Sequence, residues 1–186
     1  MSRPPLVKVQ PNFLPPLALS RTLAALDRLT SSWRSSEALG LLGRSHTSQI
    51  RASDLVAQAP LDEIRGVLAV SALQWAQRCG FVFRAPPFLQ MFPVRMLGDP
   101  ERPAQQEPHV DSNDTQVGPP ICTNVFYARI VGAKGGELAV GRGGDISDPL
   151  IVTPTPNTMV TFAGDCVHWV RPFHAGERIS VVINFY

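Results

Sequence analysis

The sequence predicts an α+β fold in which helices back one face of an antiparallel sandwich or jelly roll, on two observations. Apolar residues recur at helical spacing in two segments within residues 1–80. Past Gly80 the texture changes to at least seven short apolar runs separated by Gly, Pro and Asp. No internal repeat is visible, and the 186 residues are 44% hydrophobic and 17% charged, which fits one globular domain, 1–80 as mainly helical support and 81–186 as β core.

In order along the chain, Leu6 to Val9 reads as a short strand and Pro11 to Pro16 as a turn. LALSRTLAALDRLTSSW then places Leu19, Leu23, Leu26 and Leu29 on one helical face. The polar stretch from Arg34 to Ser53, with GLLG inside it, has room for a short strand. PLDEIRGVLAVSALQWAQRCG begins near Pro60 with acidic residues in its first turn, carries Arg78 in its last turn and stops at Gly80, a well-signalled helix. The runs FVFRAPPFLQMFPVRML, CTNVFYARIV, GELAV, PLIVTPTP, TMVTFAG, CVHWV and RISVVINFY follow as strands. Gly98 to Pro108, Ser112 to Pro119 and Gly141 to Pro149 are expected to be loops rimming one end of the barrel.

Formal net charge is +2, basic on balance in residues 1–100 and acidic beyond. The arginines are scattered singly, so no nucleic-acid-tracking surface is indicated. Cys79, Cys122 and Cys166 form no CxxC pair, and an odd number argues against a disulfide framework. The N-terminus lacks an apolar signal core and no stretch reaches the length of a membrane span. A cytoplasmic protein with no membrane partner is the expectation, unless an upstream segment of a longer gene product has been removed.

PHVDSND is the first stretch with chemistry in it. If it ends a strand, His109 and Asp111 point to one side and could supply two neighbouring ligands to a divalent metal. His-x-Asp alone is common by chance. The second stretch, CVHWVRPFHAGERISVVINFY, adds His168 in an apolar run, 57 residues beyond Asp111, a separation that lets it return beside the first pair in an antiparallel sandwich. Two histidines and one carboxylate would leave metal positions open, the arrangement of non-haem Fe(II) oxygenases. Arg178 and Ser180 share a strand face that should otherwise be apolar. A buried guanidinium needs an anion, and a carboxylate of a bound small molecule is the simplest partner.

These residues resemble the Fe(II)- and 2-oxoglutarate-dependent dioxygenases, within them the prolyl-4-hydroxylase-like group. The similarity runs in order through VQPNFLPP, PHVD, CTNVFYARIVGAKGGEL and GDCVHWVRPFHAGERIS. It implies a double-stranded β-helix of the jelly-roll or cupin-like kind, with the N-terminal helices packed on its major sheet. In it His109, Asp111 and His168 bind Fe(II), and Arg178 holds the distal carboxylate of 2-oxoglutarate. The reaction implied consumes O2 and converts 2-oxoglutarate to succinate and CO2 while hydroxylating an unactivated C–H bond of an amino acid, a peptidyl residue or a small metabolite.

Two departures from the family pattern matter. Where many relatives carry a tyrosine that supports the co-substrate, Met96 or Leu97 stands, so Tyr127 and Thr123 become candidates for that support. Six residues after the arginine, where the prolyl hydroxylase-like proteins often have tryptophan and nucleic-acid demethylating relatives a second arginine, this chain has Asn184, which could bond co-substrate or substrate. Arg95, Asp114, Arg129 and Arg142 are candidates for substrate contacts at the mouth. The competing class is a non-catalytic, cupin-like metal-binding or sensing barrel. Such a barrel has no need of a charged anchor at Arg178.

Overall fold

The computed structural model describes residues 7–30, 41–42, 48–51, 60–83, 87–111, 118–142 and 145–186. Their order is β1 (Val7–Gln10), α1 (Pro16–Thr30), β2 (Leu41–Leu42), β3 (Ser48–Arg51), α2 (Pro60–Arg78), β4 (Phe88–Leu97), β5 (Ala104–His109), β6 (Cys122–Gly135), β7 (Leu138–Arg142), β8 (Asp145–Val152), β9 (Thr158–Ala163) and β10 (His168–Phe185). GLLG does hold a short strand, β2. No helix among the described residues is long and apolar enough to cross a membrane.

All strand pairings are antiparallel. The major face runs β1-β9-β6-β10-β4-β2, with β3 also on β4. The first part of β10 turns away to pair with β5 and β7, and β8 follows β7. The sheet therefore curls over itself as a double-stranded β-helix. The sequence runs CVHWV and RISVVINFY, read as separate strands, form a single 18-residue strand. Pro172 and Gly176 look like breaks in the sequence. Both lie within β10, where the pairing register shifts between Phe173 and Ala175 and again between Ala175 and Glu177, and Gly176 adopts φ 91.

Two stretches expected to be loops contain strands. Residues 98–108 hold most of β5, and 141–149 hold the end of β7 and much of β8. Among the described residues β5 and β8 each pair with one neighbour, and most of their side chains are exposed or half-buried, as their polar composition suits. An edge strand also tolerates Pro149, which has no N–H to give a second partner. Of the third, residues 112–117 lie outside the described residues.

The helices pack on the outer side of the major face. Alternation along β10 sends Ile179, Val181, Ile183 and Phe185 outward, where they meet Leu26 of α1 and Leu68, Ala69, Ala72 and Ala76 of α2 in one buried cluster. The alanines let α2 lie close to the sheet. It ends in a Schellman cap: Gly80 at φ 95 lets its own N–H reach Gln77 O and the Phe81 N–H reach Ala76 O. Val125, Leu138, Val140, Val160 and Phe162 fill a second cluster inside the barrel.

Candidate active site

The inner face of β10 carries Arg178, Ser180, Val182 and Asn184 in register with their neighbours. Ser180 lies between Val94 and Tyr127, Val182 between Phe92 and Val125, and Asn184 between Gln90 and Thr123. This alternation is the one the sequence predicted. At the other end of β10, His168 stands directly opposite His109. The register shifts in between reverse the facing at Phe173 and restore it by Arg178, so one strand aims both residues inward.

His109 Nε2 lies 3.5 Å from Asp111 Oδ1, and His168 Nε2 lies 3.6 Å from Asp111 Oδ2. One ligand atom from each of the three falls within 4.8 Å of the others. Bonds of ~2.1 Å to a metal would bring neighbouring donor atoms to ~3 Å, a small inward adjustment. Each imidazole is held by its other nitrogen: His109 Nδ1 donates to Glu107 O at 2.8 Å, and His168 Nδ1 to Cys166 O at 3.2 Å. Both Nε2 lone pairs are thereby directed at the common point. Phe162 packs against the His168 ring, with centroids 4.8 Å apart.

Burial would lower the pKa of His109, but its bonds to Asp111 and Glu107 O outweigh that and leave it raised. Burial dominates at His168, whose pKa is lowered. Burial likewise works against the Asp111 carboxylate, yet its bonds and charges from the two histidines and from Thr123 hold its pKa below the usual value.

Deeper in the barrel, Arg178 is 4% exposed. Its Nη1 donates to Gly136 O at 2.8 Å, its Nη2 meets Met96 Sδ at 2.8 Å, and its Nε has no partner. The ring of Tyr127 lies 5.7 Å from the guanidinium carbon. No described carboxylate pairs with this cation, and desolvation lowers its pKa. Arg178, Ser180, Tyr127, His109, Asp111 and His168 all line one cavity of about 200 Å³, with Val125, Leu138, Val170 and Val182 among its apolar walls. A metal site at one side, an unmatched buried cation at the other and apolar walls between them fit a metal-bound small acid.

The remaining sequence candidates divide. Thr123 is not on the cavity wall. Its hydroxyl donates to Asp111 Oδ2 at 3.1 Å and fixes the carboxylate. Asn184 is buried and inward-facing but not on the wall either. Arg95 bonds Glu177 at 2.7 Å and Arg129 makes a bidentate pair with Asp27 of α1, both on the outer side of the sheet, away from the mouth where they were sought. Arg142 is exposed at the end of β7, off the cavity wall. Asp114 lies outside the described residues. Gln106, on the polar edge strand β5, lines the same cavity and brings its Nε2 within 3.0 Å of His109 Nε2.

Residues 96–186 match the model of the 2OG-Fe(II) oxygenase superfamily. The β core of this chain is thus similar in sequence to that superfamily from the end of β4 to the end of the chain. The match holds the whole metal triad and Arg178 and supports a 2-oxoglutarate-dependent iron dioxygenase. Among curated proteins none matches. Solved structures share the fold. A 2OG-Fe(II) oxygenase family oxidoreductase from Burkholderia pseudomallei is 21% identical with a TM-score of 0.73, over 96% of this chain and 84% of that one. A Trichoplax adhaerens prolyl hydroxylase, solved with a hypoxia inducible factor peptide fragment, is 14% identical with a TM-score of 0.66, over 97% and 83%. A Pseudomonas putida prolyl-4-hydroxylase is 19% identical with a TM-score of 0.63, over 96% and 91%.

Proposed function

We propose that this single-domain oxygenase hydroxylates an unactivated C–H bond of an amino acid, a peptidyl residue or another small metabolite. The observation that carries the reading is Arg178, a buried cation without a described counter-ion that shares the metal triad's cavity. His109, Asp111 and His168 would hold Fe(II), and Arg178, with Ser180 and the Tyr127 hydroxyl, would hold the distal carboxylate of 2-oxoglutarate. When bound, iron, 2-oxoglutarate and O2 supply the oxidation, with succinate and CO2 as co-products. The chain's own task is to orient these groups and keep water out, for which the walls at Val125, Leu138 and Val182 are suited. The three cysteines are free and buried, which supports a reducing cytoplasm as the setting.

The test is an anaerobic titration of Fe(II)-loaded protein with 2-oxoglutarate, following the weak visible charge-transfer band of a chelated 2-oxo acid. The band is expected in the wild type, with Arg178→Ala requiring at least about a hundred-fold more co-substrate, as loss of a charge-assisted bidentate contact implies. Iron binding with no band at any concentration would overturn the reading and leave a metal-binding barrel.

A further inference from the structure

The cavity wall carries one polar side chain that neither the metal triad nor the carboxylate anchor accounts for. Gln106, half-buried on β5, stands opposite Val170 of β10, and both line the cavity. Simple alternation would not put it there. In a regular strand residues i and i+2 share a face, so Glu107 would point inward with His109 and Gln106 would point away. The pairing is irregular instead: His168 faces His109 and Val170 faces Gln106, two steps along β10 against three along β5. The extra residue makes a β-bulge at Glu107 and Pro108, both exposed. The bulge turns the Glu107 carboxylate outward, aims the Glu107 carbonyl at His109 Nδ1 and brings Gln106 to the metal side. A neutral carboxamide therefore stands where an unbroken strand would present a carboxylate.

Because His109 Nδ1 donates to Glu107 O, its Nε2 carries the lone pair, and the Gln106 group 3.0 Å away is the amide N–H donating to it. A metal needs that same lone pair. Its bond of about 2.1 Å would lie along the line of the hydrogen bond, so metal and amide exclude each other there. The amide nitrogen makes no other bond among the described residues, so with metal on His109 both of its hydrogens need acceptors inside the cavity. The Asp111 oxygens are already shared among the metal, the histidines and Thr123. The anionic oxygens of a 2-oxo acid sharing the metal with His109 would lie about 3 Å from its Nε2, within reach of a flexible glutamine that touches that nitrogen. A carboxylate in the same place would repel the acid and compete for the metal.

We infer that Gln106 is a positioning residue for the co-substrate: displaced from His109 by the metal, its carboxamide donates to the 2-oxo acid oxygen bound beside His109. The inference rests on the oxygenase reading above and adds a residue to that same site. Gln106 then acts with opposite sign on the two ligands, opposing the metal and favouring the acid, which a merely structural role would not do.

The experiment compares the full chain with Gln106→Leu and Gln106→Glu, both close in volume to glutamine and both on an edge strand. Mn(II) affinity is measured first, then anaerobic 2-oxoglutarate titration of the Fe(II)-loaded proteins, reading the amplitude and position of the charge-transfer band. Gln106→Leu is expected to bind Mn(II) with equal or up to about five-fold higher affinity, since one net hydrogen bond to the lone pair is lost, and to need about ten-fold more 2-oxoglutarate, since a hydrogen bond to an anion is lost. Its band should move to shorter wavelength, because a donor on the 2-oxo acid lowers the orbital that receives the iron electron. Gln106→Glu should hold Mn(II) more tightly than wild type and need still more 2-oxoglutarate. A Gln106→Leu protein with unchanged co-substrate demand and band position, a fall in both of its affinities together, or a Gln106→Glu protein that binds 2-oxoglutarate as tightly as wild type would overturn the inference. Failure of the oxygenase reading is separate, because it would leave the wild type itself without a band.

Discussion

Arg178 links stability and function in opposite directions. Removing a buried, uncompensated cation relieves a desolvation cost, while co-substrate binding needs it. Arg178→Met, close in volume, should therefore melt at or above the wild-type temperature without ligand and gain nothing from added 2-oxoglutarate. A variant that melts well below wild type would show that the bond to Gly136 O outweighs the burial cost. Thr123→Val, which frees Asp111 Oδ2, should weaken Mn(II) affinity about ten-fold with the melting temperature held, the size expected when a partner of a metal ligand is lost. The His109 pKa is raised, so its proton competes with metal at higher pH than an ordinary histidine's, whereas the His168 proton, held less tightly, competes only lower. Mn(II) affinity should decline about ten-fold per pH unit below the His109 pKa, and a flat profile down to about pH 6 would contradict that ordering. These residues were legible because charge and imidazole are conspicuous in apolar runs. Arg95 and Arg129 were misplaced because Glu177 and Asp27, their partners, lie 82 and 102 residues away in the chain, and only the fold shows them.

At the scale of elements, the turn from β6 to β7 both shapes the barrel and holds Arg178. Gly136 has φ 77, and a Cβ there would meet Phe173 Cδ2 at 2.7 Å. Gly136→Ala should cost about 1–3 kcal/mol from strain and overlap and also weaken 2-oxoglutarate binding, because its carbonyl accepts from the guanidinium. Gly80→Ala is the control. It sits at φ 95 with nothing within 4 Å of its Cβ, so it should cost about 1 kcal/mol at the helix cap with co-substrate affinity intact. Urea midpoints and 2-oxoglutarate titrations of the two variants separate the effects. The helices were readable in the sequence because their period and caps are local. The unity of β10 was not, since Pro172 and Gly176 are ordinary strand-breakers, and only pairing with β5, β6 and β7 at successive positions makes them bends within one strand.

For the whole molecule, the question is whether the metal builds the fold or visits it. The two larger apolar clusters lie on either side of the major sheet, one under the helices and one inside the barrel, and neither includes His109, Asp111 or Arg178. The triad itself is already gathered by hydrogen bonds to Glu107 O, Cys166 O and Thr123. A chain so braced should stay folded when chelator removes the metal, with an unchanged far-ultraviolet spectrum. Its thiols should stay inert to alkylating reagents, since Cys79, Cys122 and Cys166 are buried and burial pushes the Cys122 pKa up to about 12. Ligands then add stability by mass action alone: a saturating excess of about a hundred times the dissociation constant contributes about 2.7 kcal/mol. In a chain of this size that is about 5–10 °C. Mn(II) alone should give part of that rise and 2-oxoglutarate the rest, the second step requiring both the metal and Arg178. If chelator instead exposes the cysteines and collapses the spectrum, the metal is part of the folded core, and the hydrogen bonds gathering the triad are too weak to hold the barrel end together without it.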